Sequence, residues 1–133
     1  MATWDELISY VRVRYEIMRQ AEGELWFDLP TRGERHQRVA VRQVTGEDGH
    51  PWAQITSAVG YLEKIDLARC LELAGEAITG GVVAEHNLVL FRHSIPLGDT
   101  ASIPSPSFFD RPFRLVVDIA DRMEEQLTGQ DVH

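Results

Sequence analysis

The sequence predicts an α+β fold in the order helix, three-strand meander, helix, hairpin, helix, with a largely antiparallel sheet and helices packed against it. Three observations lead there. Capped apolar series at helical spacing occur near the start, middle and end of the chain. Stretches of alternating apolar and polar residues lie between them, and short loops rich in glycine, asparagine and acidic residues join those stretches. A chain of 133 residues fits one domain over 1–133, and at that size folding hides roughly two-thirds of the unfolded surface.

Thr3-Trp4-Asp5-Glu6 is a capping box that starts the first helix, and Gly23 is expected to end it after about Glu22. Trp4, Leu7, Ile8, Val11, Tyr15 and Met18 make its core stripe, while Tyr10, Val13, Ile17 and Ala21 form a second apolar series pointing nearly the other way. That second side is either a contact surface for a second subunit or bound peptide, or the seat of a long loop of the same chain. Glu24 to Pro30 is a short aromatic strand closed by a proline, and Thr31 to Arg35 a polar turn. From His36 to Thr45, Arg38, Ala40 and Arg42 alternate with Val39 and Val41, the pattern of an antiparallel strand with one solvated face. Gly46-Glu47-Asp48-Gly49 turns the chain into a third strand, Pro51 to Ser57, and Ala58 to Lys64 leads on, with Val59, Tyr61 and Leu62 expected beneath the connection.

Asp66 caps the central helix, and Leu67, Cys70, Leu71, Ala74 and Ile78 make its apolar face. Leu73 and Ala77 widen that face until only Arg69, Glu72 and Glu76 remain polar, which predicts cover by more than a sheet, and Gly80-Gly81 is the expected stop. Gly81 to Glu85 and Leu88 to Ile95 form a hairpin across His86-Asn87, with Val89, Phe91, His93 and Ile95 on one face and Leu88, Leu90 and Arg92 on the other. Gly98 to Asp110 is a Ser/Pro loop whose Phe108 and Phe109 either anchor it or offer a hook to a partner. Asp110 and Pro112 open the last helix, Phe113, Val116, Val117, Ala120, Met123 and Leu127 make its stripe, Gly129 ends it, and 130–133 is a frayed tail.

Composition excludes more than it assigns. Thirteen basic and twenty-one acidic residues give a net charge of −8, which repels a nucleic-acid backbone. The single cysteine, Cys70, rules out an intramolecular disulfide and reads as a small buried hydrophobe, which fits a reducing cytoplasm. The longest apolar runs fall short of the ~20 residues of a membrane helix, and Met1 to Arg12 lacks the pattern of a signal peptide. His36, His50, His86, His93 and His133 stand in different elements without metal-ligand spacing, so no metal and no cofactor is expected. No glycine-rich phosphate loop or G-x-S-x-G elbow occurs, and Asp118, Asp121 and Glu125 read as the solvated arc of the last helix, so there is no catalytic candidate. Arg32, Arg35, Arg38 and Arg42 are the densest basic stretch, and Arg38 and Arg42 are expected to project from the solvated face of the sheet. They suit either a patch for an acidic peptide, small molecule or single strand beside Trp26 or Trp52, or simple edge protection.

The run LARCLELAGEAITGGVVAEHNLVLFRHSIPL, the exit Ile95-Pro96-Leu97 and the ending VVDIADRMEEQL together resemble the Tir-chaperone/YbjN-like superfamily, which includes the type III secretion class I chaperones. The likeness extends from about Thr3 to Leu127 and includes the element order. The long Gly98 to Asp110 loop departs from the family, and Ala74 stands where secretion chaperones often have asparagine, which places the resemblance on the YbjN-like side. It implies a noncatalytic cytoplasmic protein, often a homodimer, that holds an extended segment of a partner protein against its sheet and first helix. Tyr10, Val13 and Ile17 are then the expected contact residues, followed by Phe108 and Phe109. The alternative is a small-molecule or single-stranded nucleic-acid sensor that uses Arg38 and Arg42.

Overall fold

In the computed structural model, which describes residues 3–98 and 106–128, the Thr3 hydroxyl accepts from the Glu6 N–H at 3.2 Å and opens α1 (Trp4–Arg14). Trp4, Leu7 and Val11 are buried along it. The helix ends at Arg14, well short of Glu22, because Tyr15 turns extended and places its ring edge-on to Phe27 and Phe113, with centroids 6.1 and 4.9 Å away. The residues expected as its last turns form a strand instead, β1 (Arg19–Ala21). It pairs with β2 (Glu24–Pro30) across a turn in which Gly23 has φ +68°. Gly23 thus closes a hairpin rather than a helix, and Met18 is exposed rather than in the core.

The chain continues through β3 (His36–Thr45), β4 (Pro51–Tyr61), α2 (Leu67–Gly75), β5 (Gly81–Glu85), β6 (Leu88–Pro96), a 3₁₀ turn (Pro106–Phe109) and α3 (Asp110–Thr128). Among the described residues these make three α-helices and one six-stranded antiparallel sheet, ordered β1-β2-β3-β4-β6-β5, an α+β fold. The expected meander and hairpin are present, with β1 added. Gly129, the 130–133 tail and residues 99–105 of the Ser/Pro loop lie outside the described residues. No helix among the described residues is long and apolar enough to cross a membrane.

All three helices serve one side of the sheet. α3 crosses β3, β4 and β6, α1 meets the 3₁₀ turn, and α2 touches α3 and β5. Phe27, Val39, Ile55 and Phe91 from the strands share a single core with Phe113, Val116, Val117 and Ala120 of α3. Alternation sends the remaining strand residues to the opposite side, where no helix lies.

Two expectations about the helices need correction. α2 ends at Gly75, a poor helix former, and buries only Cys70 and Leu73, so Leu67, Leu71 and Ile78 remain exposed rather than covered. Gly80, at φ +77°, turns the chain into β5, where a Cβ would stand 2.7 Å from the Phe91 ring. On α3, Asp121 is not on a solvated arc: it is 1% exposed, with Arg35 Nε at 3.0 Å from its carboxylate, and Glu124 beside it is fully buried.

Candidate functional site

The uncovered side of the sheet holds a cup of about 390 Å³. Register explains its position. Trp26, Ala40, Thr56 and Arg92 form one cross-strand row, and Ala58, Leu90 and Val83 belong to the next, in which Asp28 stands opposite Arg38. Ala40 and Thr56 are buried although no helix covers them, because the longer side chains of neighbouring strands close over them. A bulge between Ala58 and Gly60 lengthens β4 beyond Ser57 and carries Tyr61 to the rim, where it is exposed instead of tucked under the connection. Glu85, His86 and Leu88 complete the rim from the β5–β6 hairpin. His86, not Asn87, takes the left-handed backbone conformation there, at φ 59°.

The electrostatics are organised by Glu24. Its carboxylate accepts from the Trp26 indole N–H and from Arg19 at 3.3 Å, with Arg42 Nε 3.8 Å away. The hydrogen bond from Trp26 is the main cause that holds its carboxyl below the usual range; burial opposes it, and Arg42 and then Arg19 add to the lowering. Arg19 and Arg42 also stand over the Trp26 ring, 5.1 and 5.5 Å from its centroid. Arg42 is therefore committed to Glu24 and Trp26. The Arg38 guanidinium lines the same cup and makes no hydrogen bond or ion pair among the described residues.

The structure brings Arg38 and Arg42 together, on the open face where alternation puts them, but does not bring together Tyr10, Val13 and Ile17. Tyr10 is half-buried and donates its hydroxyl to Asp110, Ile17 lies beyond the end of α1 and packs on the core, and only Val13, 83% exposed, faces outward. The second apolar side of the first helix does not exist as a surface, since the helix is too short to repeat it. Phe109 is buried and stacks on Phe113 at 4.8 Å, and Phe108 is half-buried against the core, so this pair anchors its loop. Leu88, Leu90 and Tyr61 are cup residues that the sequence reading did not select. The signal for the leucines was available, because alternation along β6 places them on the side of Arg92.

No three His, Cys, Asp or Glu side chains among the described residues are grouped to hold a metal ion. Burial pushes the Cys70 thiol up and away from the thiolate form. Burial also lowers the pKa of His93, whose ring is 2.8 Å from the Thr79 hydroxyl on the helix side of the sheet. These groups lie apart from the cup. No family model, curated protein or solved structure matches this chain.

Proposed function

We propose that this chain is a noncatalytic adaptor of chaperone type, which holds an extended segment of a partner protein on the open face of its sheet. The observation that carries the reading is the cup itself: a helix-free sheet face with Trp26, Ala58, Leu88 and Leu90 as apolar lining. An extended peptide suits such a face, because its alternate side chains can enter the cup while its backbone stays near the solvated rim. The resemblance to the Tir-chaperone/YbjN-like superfamily supports the same reading. The first helix is left out of the proposed surface, since Tyr10 and Ile17 are engaged by their own chain. The chain would act in the cytoplasm as a homodimer, joined through the exposed stripe Leu67, Leu71 and Ile78 beside α2.

Fluorescence anisotropy of dye-labelled, reduced and carboxymethylated α-lactalbumin, a permanently unfolded polypeptide, tests the reading. Saturable binding is expected, weakened about tenfold or more by Leu88→Lys with an unchanged circular dichroism spectrum. No binding, or binding indifferent to Leu88→Lys, would remove the sheet face as the holding surface. A second reading, a small-molecule or single-strand sensor, draws on the cup volume of about 390 Å³, within the range of ligand pockets. Its nucleic-acid form is opposed by the net charge of −8.

A further inference from the structure

We propose that the cup reads a two-residue pattern in its partner: a large apolar side chain that fills the cup, and a carboxylate two residues away along the same extended segment that pairs with Arg38. This deepens the segment-binding reading and rests on it.

The argument starts from the charges that remain after internal pairing. The chain is acidic overall, with a net charge of −8, yet the open face carries Arg19, Arg38, Arg42 and Arg92 against Glu24, Asp28 and Glu85. Asp28, cross-strand from Arg38, lies 3.8 Å from His36 and makes no ion pair with Arg38 among the described residues. Of the arginines, Arg19 and Arg42 share the single carboxylate of Glu24, which offsets one of their two charges, and both stand over the Trp26 ring. The side chains of Arg38 and Arg92 make no hydrogen bond or ion pair among the described residues. Arg38 alone of the two lines the cup. A guanidinium at the edge of an apolar hollow is partly stripped of water once the hollow fills, and a carboxylate matches its planar fork better than any other common side chain.

Geometry then sets the spacing. Ala58 and Leu90 are cross-strand neighbours on β4 and β6, while Arg38 belongs to β3, the strand on the other side of β4. Strands lie about 4.8 Å apart, so the Arg38 and Leu90 backbones are roughly 10 Å apart across the sheet. In an extended segment, residues i and i+2 point to the same side about 7 Å apart. One such side chain can sit over Ala58 and Leu90 while the other meets the Arg38 head group at the cup edge. Residue i+1 points to solvent, so a carboxylate there would not reach it. Glu85 on the opposite rim disfavours a carboxylate at that end and gives the segment a direction.

Three dye-labelled peptides of one length test this, sharing a phenylalanine and carrying glutamate at i+2, glutamate at i+1, or lysine at i+2. The first should bind at least about tenfold tighter than the other two. Arg38→Glu should reverse the preference between glutamate and lysine at i+2, while Arg122→Glu, on α3 beyond the covered side of the sheet, should leave it unchanged. Equal affinity of all three peptides, still lost with Leu88→Lys, would overturn the pattern and leave segment binding intact. Failure of every peptide and of unfolded α-lactalbumin would overturn segment binding itself. Displacement of bound peptide by oligo-dT at matched ionic strength, dependent on Arg38, would assign the cup to nucleic acid and overturn the proposal.

Discussion

Asp110 is where two tyrosines from the other end of the chain converge. It accepts the hydroxyl of Tyr15 at 2.6 Å and that of Tyr10, tying α1 and its exit to the start of α3. The hydrogen bond to Asp110, with burial, raises the Tyr10 pKa, whereas burial first and the same hydrogen bond second raise that of Tyr15. The folded state therefore retains protons that unfolded tyrosines release near pH ~10. Their contribution to stability is full below that pH and is lost as the pH rises towards the folded values. Chemical denaturation at a series of pH values should show stability falling above about pH 10, with a shallower fall in Tyr15→Phe. At neutral pH, Tyr15→Phe should cost about 1 kcal/mol, less than a fully buried hydrogen bond to a charged group because the site is half-exposed. A wild-type curve flat through this range would refute the coupling. The sequence offered Asp110 as a helix cap, a local role; its long-range partners left no local trace. Asp121 is the same case. Helical spacing marked it as polar, and only the return of Arg35 beneath α3 explains why it is buried.

At the scale of elements, periodicity identified each strand from Glu24 to Pro96 and the stripe of α3, since both fill one face with consistent chemistry. It failed at Tyr15 to Ala21. Those residues continue a helical pattern, but an aromatic cluster with Phe27 and Phe113 and a backbone ladder with β2 outweigh a few tenths of a kcal/mol per residue of helix preference. The bulge in β4 was equally invisible, because the contact that requires glycine at its edge comes from Ile65 in the connection that follows. A Cβ on Gly60 would lie 2.5 Å from Ile65 Cγ2. Gly60→Ala should therefore cost about 1–3 kcal/mol by forcing Ile65 and the bulge apart. Because the bulge sets the position of Tyr61, the same change should also weaken binding at the cup. Urea denaturation and the anisotropy titration measure the two effects. A variant of wild-type stability would mean that the connection after β4 yields freely.

For the molecule as a whole, the site was half legible. Alternation put Arg38 and Arg42 on a solvated face, and that face is where the cup lies. The depth of the cup was not legible, because it comes from bringing β4 and β6 together across the α2 connection, and no window of sequence contains both. One-sided helix cover leaves two exposed surfaces of opposite character, and salt should separate them. The α2 stripe is apolar, with Leu71 57% and Ile78 91% exposed, and each copy carries a net charge of −8. Raising salt screens repulsion between like-charged copies and does not weaken apolar burial, so the proposed dimer should tighten from about 50 to about 500 mM salt. The preference of the cup for glutamate over lysine rests on one exposed guanidinium, and it should shrink over the same interval. Sedimentation equilibrium and peptide titration read the two trends on the same samples. Leu71→Asp should give a folded monomer that still discriminates between the peptides, since α2 contributes no residue to the cup. A dimer that loosens with salt, or that survives Leu71→Asp, would place the subunit contact on charged surface elsewhere.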